Sequence, residues 1–320
     1  MIDPAETFDG TFPFQPRFST APGFRMHYVD EGTGPVLLCL HGEPTWGYLY
    51  RHLITDLAPT HRVIVPDHMG FGKSETPADR TYWLQDHVDN LEALVTDLNL
   101  SDITLVLHDF GGPAGMGLLA RRPELVSRVI SVNGPTAFGQ PGLPAAFKAN
   151  AARSPWFTWI AEAHARGTLD ATLGDLGYNI LSTLKLNGFQ DNGIITPSWL
   201  RAYAAPFPTP AAAAGALGWA KGLELDAHRF EQPGPEARER AARLPALTLW
   251  GSEDRTLAAE HFLPLFRETF PRGLVSELPG VGHYSPEDAP ATITALIKLF
   301  LDATSDGSAL GSALTEVIAA

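Results

Sequence analysis

The chain has 320 residues, of which 44% are hydrophobic and 18% are charged, and its formal net charge is −13. This composition is that of a globular protein with enough apolar material for a core, and it excludes a disordered or collagen-like chain. So strongly acidic a chain argues against nucleic acid or an anionic membrane as the main partner. The length is compatible with one large domain or two small ones.

The amino-terminal residues and the cysteine content bear on location and cofactors. The first ten residues, MIDPAETFDG, have neither a basic n-region nor an apolar h-region. No apolar run approaches the ~18 residues that span a bilayer, so we expect a soluble, cytoplasmic protein. Cys39 is the single cysteine, which excludes an internal disulfide framework and a CxxC metal site. Because it lies in the apolar run VLLCL, we expect a buried small hydrophobe.

Short apolar runs alternate with amphipathic stretches through the first part of the chain. Strands are predicted at FRMHYVD (24–30), PVLLCL (35–40), RVIVPD (62–67), DITLVLHD (102–109) and RVISVN (128–133). Helices are predicted over 48–57, 83–100 and 112–123. Apolar residues recur there at three- and four-residue steps. Such alternation is typical of parallel βαβ units and predicts a doubly wound sheet.

The alternation stops near residue 135, where the chain becomes rich in Ala, Pro and Trp and poor in β-branched runs. It resumes with ALTLWG (246–251), a helix near 258–269, LVSELPG (274–280) and a helix near 289–302. We therefore predict an α/β core domain formed by residues 1–134 and 231–320, with a helical cap inserted at 135–230. The tail at 303–320, rich in Ser, Ala and Gly, is expected to be partly helical or loose.

Ligands of an open parallel sheet bind outside the carboxyl ends of its strands, so the residues that follow each predicted strand are candidates. Two motifs are excluded first. GFGKS resembles the end of a phosphate loop, but that motif requires glycine five residues before Gly72, where this chain has Asp67. The elbow G-x-S-x-G occurs nowhere in the chain, which argues against a serine esterase or lipase.

The segment LHDFGG has the shape of a nucleophile elbow with a carboxylate in the serine position. Asp109 would lie on a sharp strand-to-helix turn, for which Gly111 and Gly112 leave room. The alternative is an aspartate that caps the following helix. Two later loops favour the elbow, because Asp109, Asp254 and His283 follow the order nucleophile, acid, base of α/β-hydrolases.

These positions predict a triad of Asp109 as nucleophile, Asp254 as orienting acid and His283 as base. Asp254 is preferred to the neighbouring Glu253, and His108 is expected to be structural. An ionised carboxylate attacks an sp3 carbon that bears a leaving group and forms an alkyl ester. His283 then deprotonates the water that attacks this ester.

The backbone amides of Glu43 and Phe110 are predicted to form the oxyanion hole for that second step. The chemistry requires no metal and no organic cofactor. The expected partner is a small apolar organic substrate, and no oligomeric state is predicted.

Five segments resemble the haloalkane dehalogenases: HGEPTW with GYLYR, HDFGGPAG, RAYAAPFPTP, GSEDRTL and GVGHYSPEDAP. The resemblance extends from about residue 22 to residue 302. It implies an α/β-hydrolase fold with an inserted helical cap. It also implies hydrolysis of carbon–halogen bonds to an alcohol and halide.

The chain departs from this family at the residue that follows the nucleophile. The family normally has tryptophan there, and its indole N–H binds the departing halide, whereas Phe110 has no such donor. The resemblance implies a second donor from a cap tryptophan, for which Trp156 and Trp159 are the candidates. Trp46 and Tyr203 are further candidates for contact with the substrate or leaving group.

Two other functions remain open at this point. HGxP and the aspartate elbow are shared with epoxide hydrolases, which would use the same triad with cap tyrosines as proton donors, and the cap contains Tyr178 and Tyr203. A catalytically silent ligand-binding protein on the same fold is the third hypothesis. The HGEPTW segment favours a dehalogenase-like enzyme.

Overall fold

The computed structural model describes residues 2–138, 142–225 and 232–305. At its centre is an eight-stranded sheet. In chain order the strands are β1 (Arg17–Ser19), β2 (Met26–Glu31), β3 (Val36–Leu40), β4 (Arg62–Pro66), β5 (Ile103–Leu107), β6 (Val126–Val132), β7 (Ala246–Gly251) and β8 (Leu274–Leu278). Their order in the sheet is β1-β2-β4-β3-β5-β6-β7-β8. The pairs β1/β2 and β2/β4 are antiparallel, and all other neighbours are parallel.

Helices connect and cover these strands. They are α1 (Arg51–Leu57), α2 (Leu84–Asp97), α3 (Gly111–Arg121), α4 (Gly142–Ala151), α5 (Pro155–Ala165), α6 (Leu169–Gly174), α7 (Leu176–Asn187), α8 (Pro197–Ala204), α9 (Ala214–Leu225), α10 (Pro235–Arg243), α11 (Ala259–Thr269), α12 (Ser285–Asp288) and α13 (Pro290–Ala303). Short 3-10 turns lie at Gly47–Tyr50, Pro123–Leu125, Asn192–Ile194 and Pro210–Ala213. Helices α4 to α9 lie between β6 and β7, and we call them the helical insertion.

The predicted α/β class with a mostly parallel sheet is confirmed. Three details differ from the sequence-based expectation. Strand β1 was not predicted, because three residues are too few to show a periodic pattern. The amino-terminal edge of the sheet is antiparallel. The helix predicted over 48–57 is divided into a 3-10 turn and α1.

Successive residues of the central strands pack on opposite faces of the sheet. In β5, Leu105 and Leu107 join one apolar cluster, whereas Val106 joins another together with Cys39. Helices cover both faces, which is why these strands are continuous apolar runs rather than alternating ones. Burial in this environment raises the pKa of the Cys39 thiol.

The parallel strands end at one edge of the sheet, so the loops after β3, β5, β6, β7 and β8 meet there. Parts of the predicted organisation lie outside the described residues: the cap boundary near 230 and 231, and the tail from 306 onward. Within the described ranges, no helix is both long and apolar enough to cross a bilayer.

Candidate active site

Asp109 occupies a strained turn between β5 and α3. Its φ is +49°, a left-handed conformation that is uncommon for a residue with a side chain and costs free energy. The chain around it is tightly packed. A Cβ on Gly111 would lie 2.1 Å from the carbonyl oxygen of Leu40, and a Cβ on Gly42 would lie 2.2 Å from Asp109 Oδ1. The Asp109 carboxylate is therefore directed into the space above the carboxyl edge of the sheet.

The structure brings the three predicted triad residues together. His283 follows β8 and Asp254 follows β7, and His283 Nδ1 lies 2.9 Å from Asp254 Oδ2. On the other side of the ring, His283 Nε2 lies 3.5 Å from Asp109 Oδ2. This nitrogen is buried and has no hydrogen-bond partner among the described residues. A water molecule beside His283 and Asp109 would be within hydrogen-bonding distance of this nitrogen.

The charges of the triad depend on one another. Burial opposes the charged form of His283, but the carboxylates of Asp254 and Asp109 outweigh it and raise the pKa of His283 to about 10. Burial also opposes ionisation of Asp109, yet His283 and the amide of Glu43 hold the pKa of Asp109 below its ordinary value. The resting site therefore has an ionised Asp109 beside a protonated His283 at neutral pH.

Asp254 is held in place by groups from two loops. Its Oδ1 accepts hydrogen bonds from the amides of Thr256 and Leu257, both at 2.8 Å. Its Oδ2 accepts from Asn133 Nδ2 at 2.8 Å. Asn133 follows β6, and the sequence analysis gave it no role. The Asn-Gly pair directly after a buried strand was the only indication of it in the sequence.

Asn133 also connects the loop that carries Asp254 to the loop that carries His283. Its Oδ1 accepts from the amide of Gly251 at 3.1 Å and from Ser285 Oγ at 2.7 Å. His108 lies behind the base, where its Nε2 is 3.0 Å from the carbonyl oxygen of His283. This is the structural position that the sequence predicts for His108. Glu253, the alternative acid, is exposed.

Of the two predicted oxyanion donors, one contacts the Asp109 carboxylate in the structure. The amide of Glu43 donates to Asp109 Oδ1 at 2.7 Å. Phe110 precedes the first residue of α3, and its amide donates to no acceptor within the described part of the chain. The positive end of the α3 dipole adds to the stabilisation of negative charge here.

A small cavity adjoins Asp109 and His283, and the helical insertion forms one side of it. Its volume is about 10 Å³, roughly what one water molecule requires. Mainly apolar side chains surround it. The lining residues are Glu43, Asp109, Phe110, Pro113, Pro135, Phe147, Trp156, Phe157, Asn187, Thr256, Leu257 and His283.

The four side chains that were predicted to contact the substrate or leaving group fall into two groups. Trp156 lines the cavity, and Trp159 stacks on it with ring centroids 5.3 Å apart without lining the cavity itself. Trp46 and Tyr203 do not line it. Trp46 Nε1 donates to the carbonyl oxygen of Ala202 at 2.8 Å, and the Tyr203 hydroxyl donates to Glu287 at 2.5 Å. These two side chains join the helical insertion to the core.

Two polar side chains in the cavity wall received no side-chain role from the sequence. The carboxyl group of Glu43 and the Oδ1 atom of Asn187 are buried and have no hydrogen-bond partner in the described part of the chain. Burial, and then the charge of Asp109, raise the pKa of Glu43 well above its ordinary value. The acid between Gly42 and Pro44 was visible in the sequence, whereas nothing pointed to Asn187 at the end of α7.

Among the described residues, no group of three or more His, Cys, Asp or Glu side chains is arranged to hold a metal ion. The polar groups at this edge of the sheet instead form a nucleophile, a base with its orienting acid, and amide donors. This arrangement is suited to covalent catalysis through Asp109.

Comparison with known families agrees with this fold. Residues 35–290 match the family described as alpha/beta hydrolase fold. The chain belongs to this family, and its relatives make it a haloalkane dehalogenase-like member and an enzyme of the hydrolase type.

Three of the similar proteins cover nearly the whole chain. A cis-3-alkyl-4-alkyloxetan-2-one decarboxylase of Shewanella oneidensis is 33% identical over 303 residues, which cover 92% of this chain and 91% of that protein. Haloalkane dehalogenase 2 of Mycobacterium bovis is 30% identical over 295 residues, covering 89% and 94%. The crystal structure of haloalkane dehalogenase DbeA from Bradyrhizobium elkani, 24% identical, has a TM-score of 0.76 and covers 92% and 99%. The last comparison shows a shared fold.

Proposed function

We propose that the protein hydrolyses the carbon–halogen bonds of small haloalkanes through an alkyl ester on Asp109. The observation that carries this proposal is the position of the ionised Asp109 carboxylate on its strained turn, with the free Nε2 of His283 3.5 Å away. The dehalogenase of Mycobacterium bovis, similar over most of its length, supports the assignment.

In the first step, an Asp109 oxygen forms a bond to the sp3 carbon while the carbon–halogen bond breaks and its electron pair leaves with the halide. The protonated His283 and the amide of Glu43 both favour the ionised form of Asp109 until the attack. The halide is released beside Trp156, which lines the cavity and carries an indole N–H donor. Phe110 contributes no second donor.

In the second step, the charge of Asp109 has been lost to the ester, so one of the two charges that raise the pKa of His283 is gone. His283 then loses its proton more readily and becomes a base. It deprotonates a water molecule that attacks the Asp109 carbonyl carbon, and the amides of Glu43 and Phe110 stabilise the oxyanion. The alcohol leaves with the proton from His283, and Asp109 passes the remaining acid proton to His283, which restores the resting pair; the proton that His283 lost before the attack is released to solvent with the halide.

We further propose that the core comprises residues 1–134 and 231–320 and that the segment 135–230 serves as a cap over the cavity. Residues of α4, α5 and α7 contribute Phe147, Trp156 and Asn187 to its wall. Because the cavity holds about one water molecule, a substrate enters only when these side chains move. The opening of the cap is therefore part of the proposed reaction cycle.

The variant His283→Phe tests the ester mechanism. It removes the base while leaving the nucleophile, so a bromoalkane should release bromide in a single burst and leave its alkyl group on the protein. Intact-protein mass spectrometry measures the added mass, and peptide mapping should locate it at Asp109. The double variant Asp109→Asn/His283→Phe is the control and should gain no mass. A folded His283→Phe protein that gains no mass from any bromoalkane would contradict the proposal and favour a silent binding protein.

A second candidate is the cleavage of a carbon–oxygen bond in a strained ring. The absence of an indole donor at Phe110 favours it, and so does the similarity to an oxetan-2-one decarboxylase. An epoxide hydrolase with tyrosine acids is less well supported, because Tyr178 is 93% exposed and the Tyr203 hydroxyl is bonded to Glu287. The trapped adduct distinguishes the candidates, since a bromoalkane leaves an alkyl group and an epoxide leaves a hydroxyalkyl group.

A further inference from the structure

The carboxyl group of Glu43 is unusual among the buried carboxylates of this protein. Asp67, Asp254 and Glu287 each accept hydrogen bonds from side chains or amides. Glu43 is 3% exposed, yet neither of its oxygens has a hydrogen-bond partner within residues 2–138, 142–225 and 232–305, and it borders the cavity beside Asp109. Burying a polar group without a partner costs stability. Its place in the cavity wall beside Asp109 leaves both oxygens available to a partner that arrives with the substrate.

The protonation state of Glu43 follows from its surroundings. Burial and the negative charge of Asp109 both raise the pKa of Glu43, which favours the carboxylic acid, a form with one O–H donor. Its backbone amide is already engaged with Asp109 Oδ1. The main chain and the side chain of Glu43 thus offer separate donors near the reacting atoms.

Asn187 adds an acceptor to the same cavity, and its orientation is determined by a neighbour. The Tyr284 hydroxyl donates its single hydrogen to the carbonyl oxygen of Glu43 at 3.2 Å. Toward Asn187 this hydroxyl can only accept, so the Asn187 amide nitrogen lies against it at 2.8 Å. The Oδ1 atom of Asn187 is left unpaired. A saturated haloalkane has no hydrogen-bond donor with which to satisfy it.

We propose that the carboxylic acid of Glu43 donates a hydrogen bond or proton to the leaving group at this site. Through this donor the enzyme also opens strained rings by breaking a carbon–oxygen bond. This inference rests on the proposed ester of Asp109. It differs from the role of an indole N–H, because a carboxylic acid both hydrogen-bonds a leaving atom and transfers its proton to it.

With an epoxide the step balances as follows. An Asp109 oxygen bonds to a ring carbon, the carbon–oxygen bond breaks, and its electron pair passes to the ring oxygen. That oxygen takes the proton of Glu43 and becomes a hydroxyl, for which Asn187 Oδ1 is an acceptor. Glu43 is left as a carboxylate and regains a proton from the water consumed in hydrolysis of the ester. The overall reaction converts the epoxide and water into a diol.

Two variants separate hydrogen bonding from proton transfer, and both keep the backbone amide at residue 43. Glu43→Leu removes the donor. Because it also removes an unpaired buried carboxyl group, its melting temperature should equal or exceed that of the parent. Glu43→Gln keeps an N–H donor but has no acidic proton. The matched control is Glu253→Gln, which alters an exposed glutamate next to Asp254.

The measurement is consumption of substrate in one turnover by His283→Phe proteins that carry each change, with the adduct mass recorded. The substrates are a bromoalkane, a terminal epoxide and an oxetan-2-one of matched chain length. Glu43→Leu should slow the bromoalkane and the oxetan-2-one by ~10- to 100-fold, the effect of one hydrogen bond to a charged group. Glu43→Gln should slow the epoxide by at least ~100-fold, because an alkoxide needs a proton.

The bromide and the ring-opened carboxylate of the oxetan-2-one need no proton. The rates of the bromoalkane and the oxetan-2-one should therefore fall only about 3-fold in Glu43→Gln, the scale of a changed hydrogen bond. If each of the three substrates reacted as fast in the Glu43→Leu variant as in its His283→Phe parent, the role of Glu43 would be overturned, while the ester on Asp109 would stand. A parent that consumes the bromoalkane but neither oxygen ring would overturn the second activity. A parent that forms no adduct at all would instead contradict the ester itself.

Discussion

Two clusters of buried charge lie a few residues apart in this protein, and they differ in how completely they are paired. The first is the candidate triad of Asp109, His283 and Asp254. The second, which we call the anchor cluster, consists of Arg51, Glu287, Trp199 and Tyr203. In the anchor cluster, Arg51 donates to both carboxylate oxygens of Glu287, one of them at 2.9 Å. Trp199 Nε1 and the Tyr203 hydroxyl donate to the same carboxylate, at 3.2 and 2.5 Å.

The anchor cluster joins the helical insertion to the core, because Trp199 and Tyr203 lie on α8 whereas Arg51 and Glu287 belong to the core. Both oxygens of its carboxylate are satisfied within the protein. Around the triad, by contrast, the carboxyl group of Glu43 has no hydrogen-bond partner among the described residues, and the contact of His283 Nε2 with Asp109 Oδ2 is long, at 3.5 Å. Complete pairing indicates a structural contact, and unpaired polar atoms at a cavity indicate a site for a ligand. Substitutions should therefore affect rate in one cluster and stability in the other.

The largest effect is expected at the nucleophile. Asp109→Asn should reduce the initial rate of substrate consumption by at least ~10³-fold, because an amide is a poor nucleophile. Steady-state assays on freshly prepared protein measure this, since slow deamidation would restore the aspartate. Thermal unfolding should show that the variant is folded. An unreduced initial rate in fresh protein would remove Asp109 from the mechanism.

In the anchor cluster the effect should fall on stability instead. Glu287→Leu leaves the buried Arg51 guanidinium unpaired and should cost about 3–5 kcal/mol of unfolding free energy, measured by urea denaturation. The double variant Arg51→Met/Glu287→Leu removes both charges and should recover much of this loss. If Glu287→Leu abolished turnover at unchanged stability, the distinction between the two clusters would be wrong.

Much of the fold was predictable, because it is expressed in local patterns. A parallel strand covered on both faces must be apolar throughout, and this marked β3, β4, β5, β6 and β7. The elbow was also visible, because the close approach of α3 to the carbonyl of Leu40 requires glycine at residue 111. β1 escaped prediction because its three residues are stabilised by pairing with β2 rather than by a pattern of their own.

The site was predictable only where chain order carried the information. The positions of Asp109, Asp254 and His283 follow from the order of loops at one edge of the sheet. The bond from Asn133 to Asp254 joins residues 121 positions apart, and no local pattern reveals such a pair. The sequence likewise did not reveal which of the candidate tryptophan and tyrosine side chains line the cavity. Trp156 lines it, whereas Trp46 and Tyr203 are bonded elsewhere.

A smaller effect is expected where the cavity lacks a donor. Phe110→Trp introduces an indole N–H and should raise turnover of a chloroalkane by ~10- to 100-fold and that of the bromoalkane of the same chain by less, because chloride is the poorer leaving group. Phe110 stacks on Trp219 with centroids 4.7 Å apart, so the larger ring must be shown to fit by an unchanged melting temperature. Phe110→Leu is the control for loss of the ring. An unchanged chloride-to-bromide ratio in a well-folded Phe110→Trp protein would place residue 110 outside the leaving-group site.

The smallest effect concerns the coupling of charges within the triad. The carboxylates of Asp254 and Asp109 raise the pKa of His283 to about 10 in the folded protein, against ~6.5 for an unperturbed histidine in the unfolded chain. Between these values the folded protein binds a proton that the unfolded chain does not. This contribution to stability is complete below ~6.5 and is lost as the pH rises through the folded-state pKa, with a slope of about 1.4 kcal/mol per pH unit.

Urea unfolding at pH 7, 8 and 9 should reveal this decline in the parent. In His283→Phe the overall stability is lower, because two buried carboxylates lose their partner, but the decline should be reduced by about that slope. In Asp109→Asn the decline should start at the same pH but end at a lower pH, because one of the charges that raise the folded-state pKa of His283 is absent, as it is in the ester. Parallel pH profiles in the three proteins would show that His283 is neutral in the resting site, and the base would then be available before Asp109 reacts.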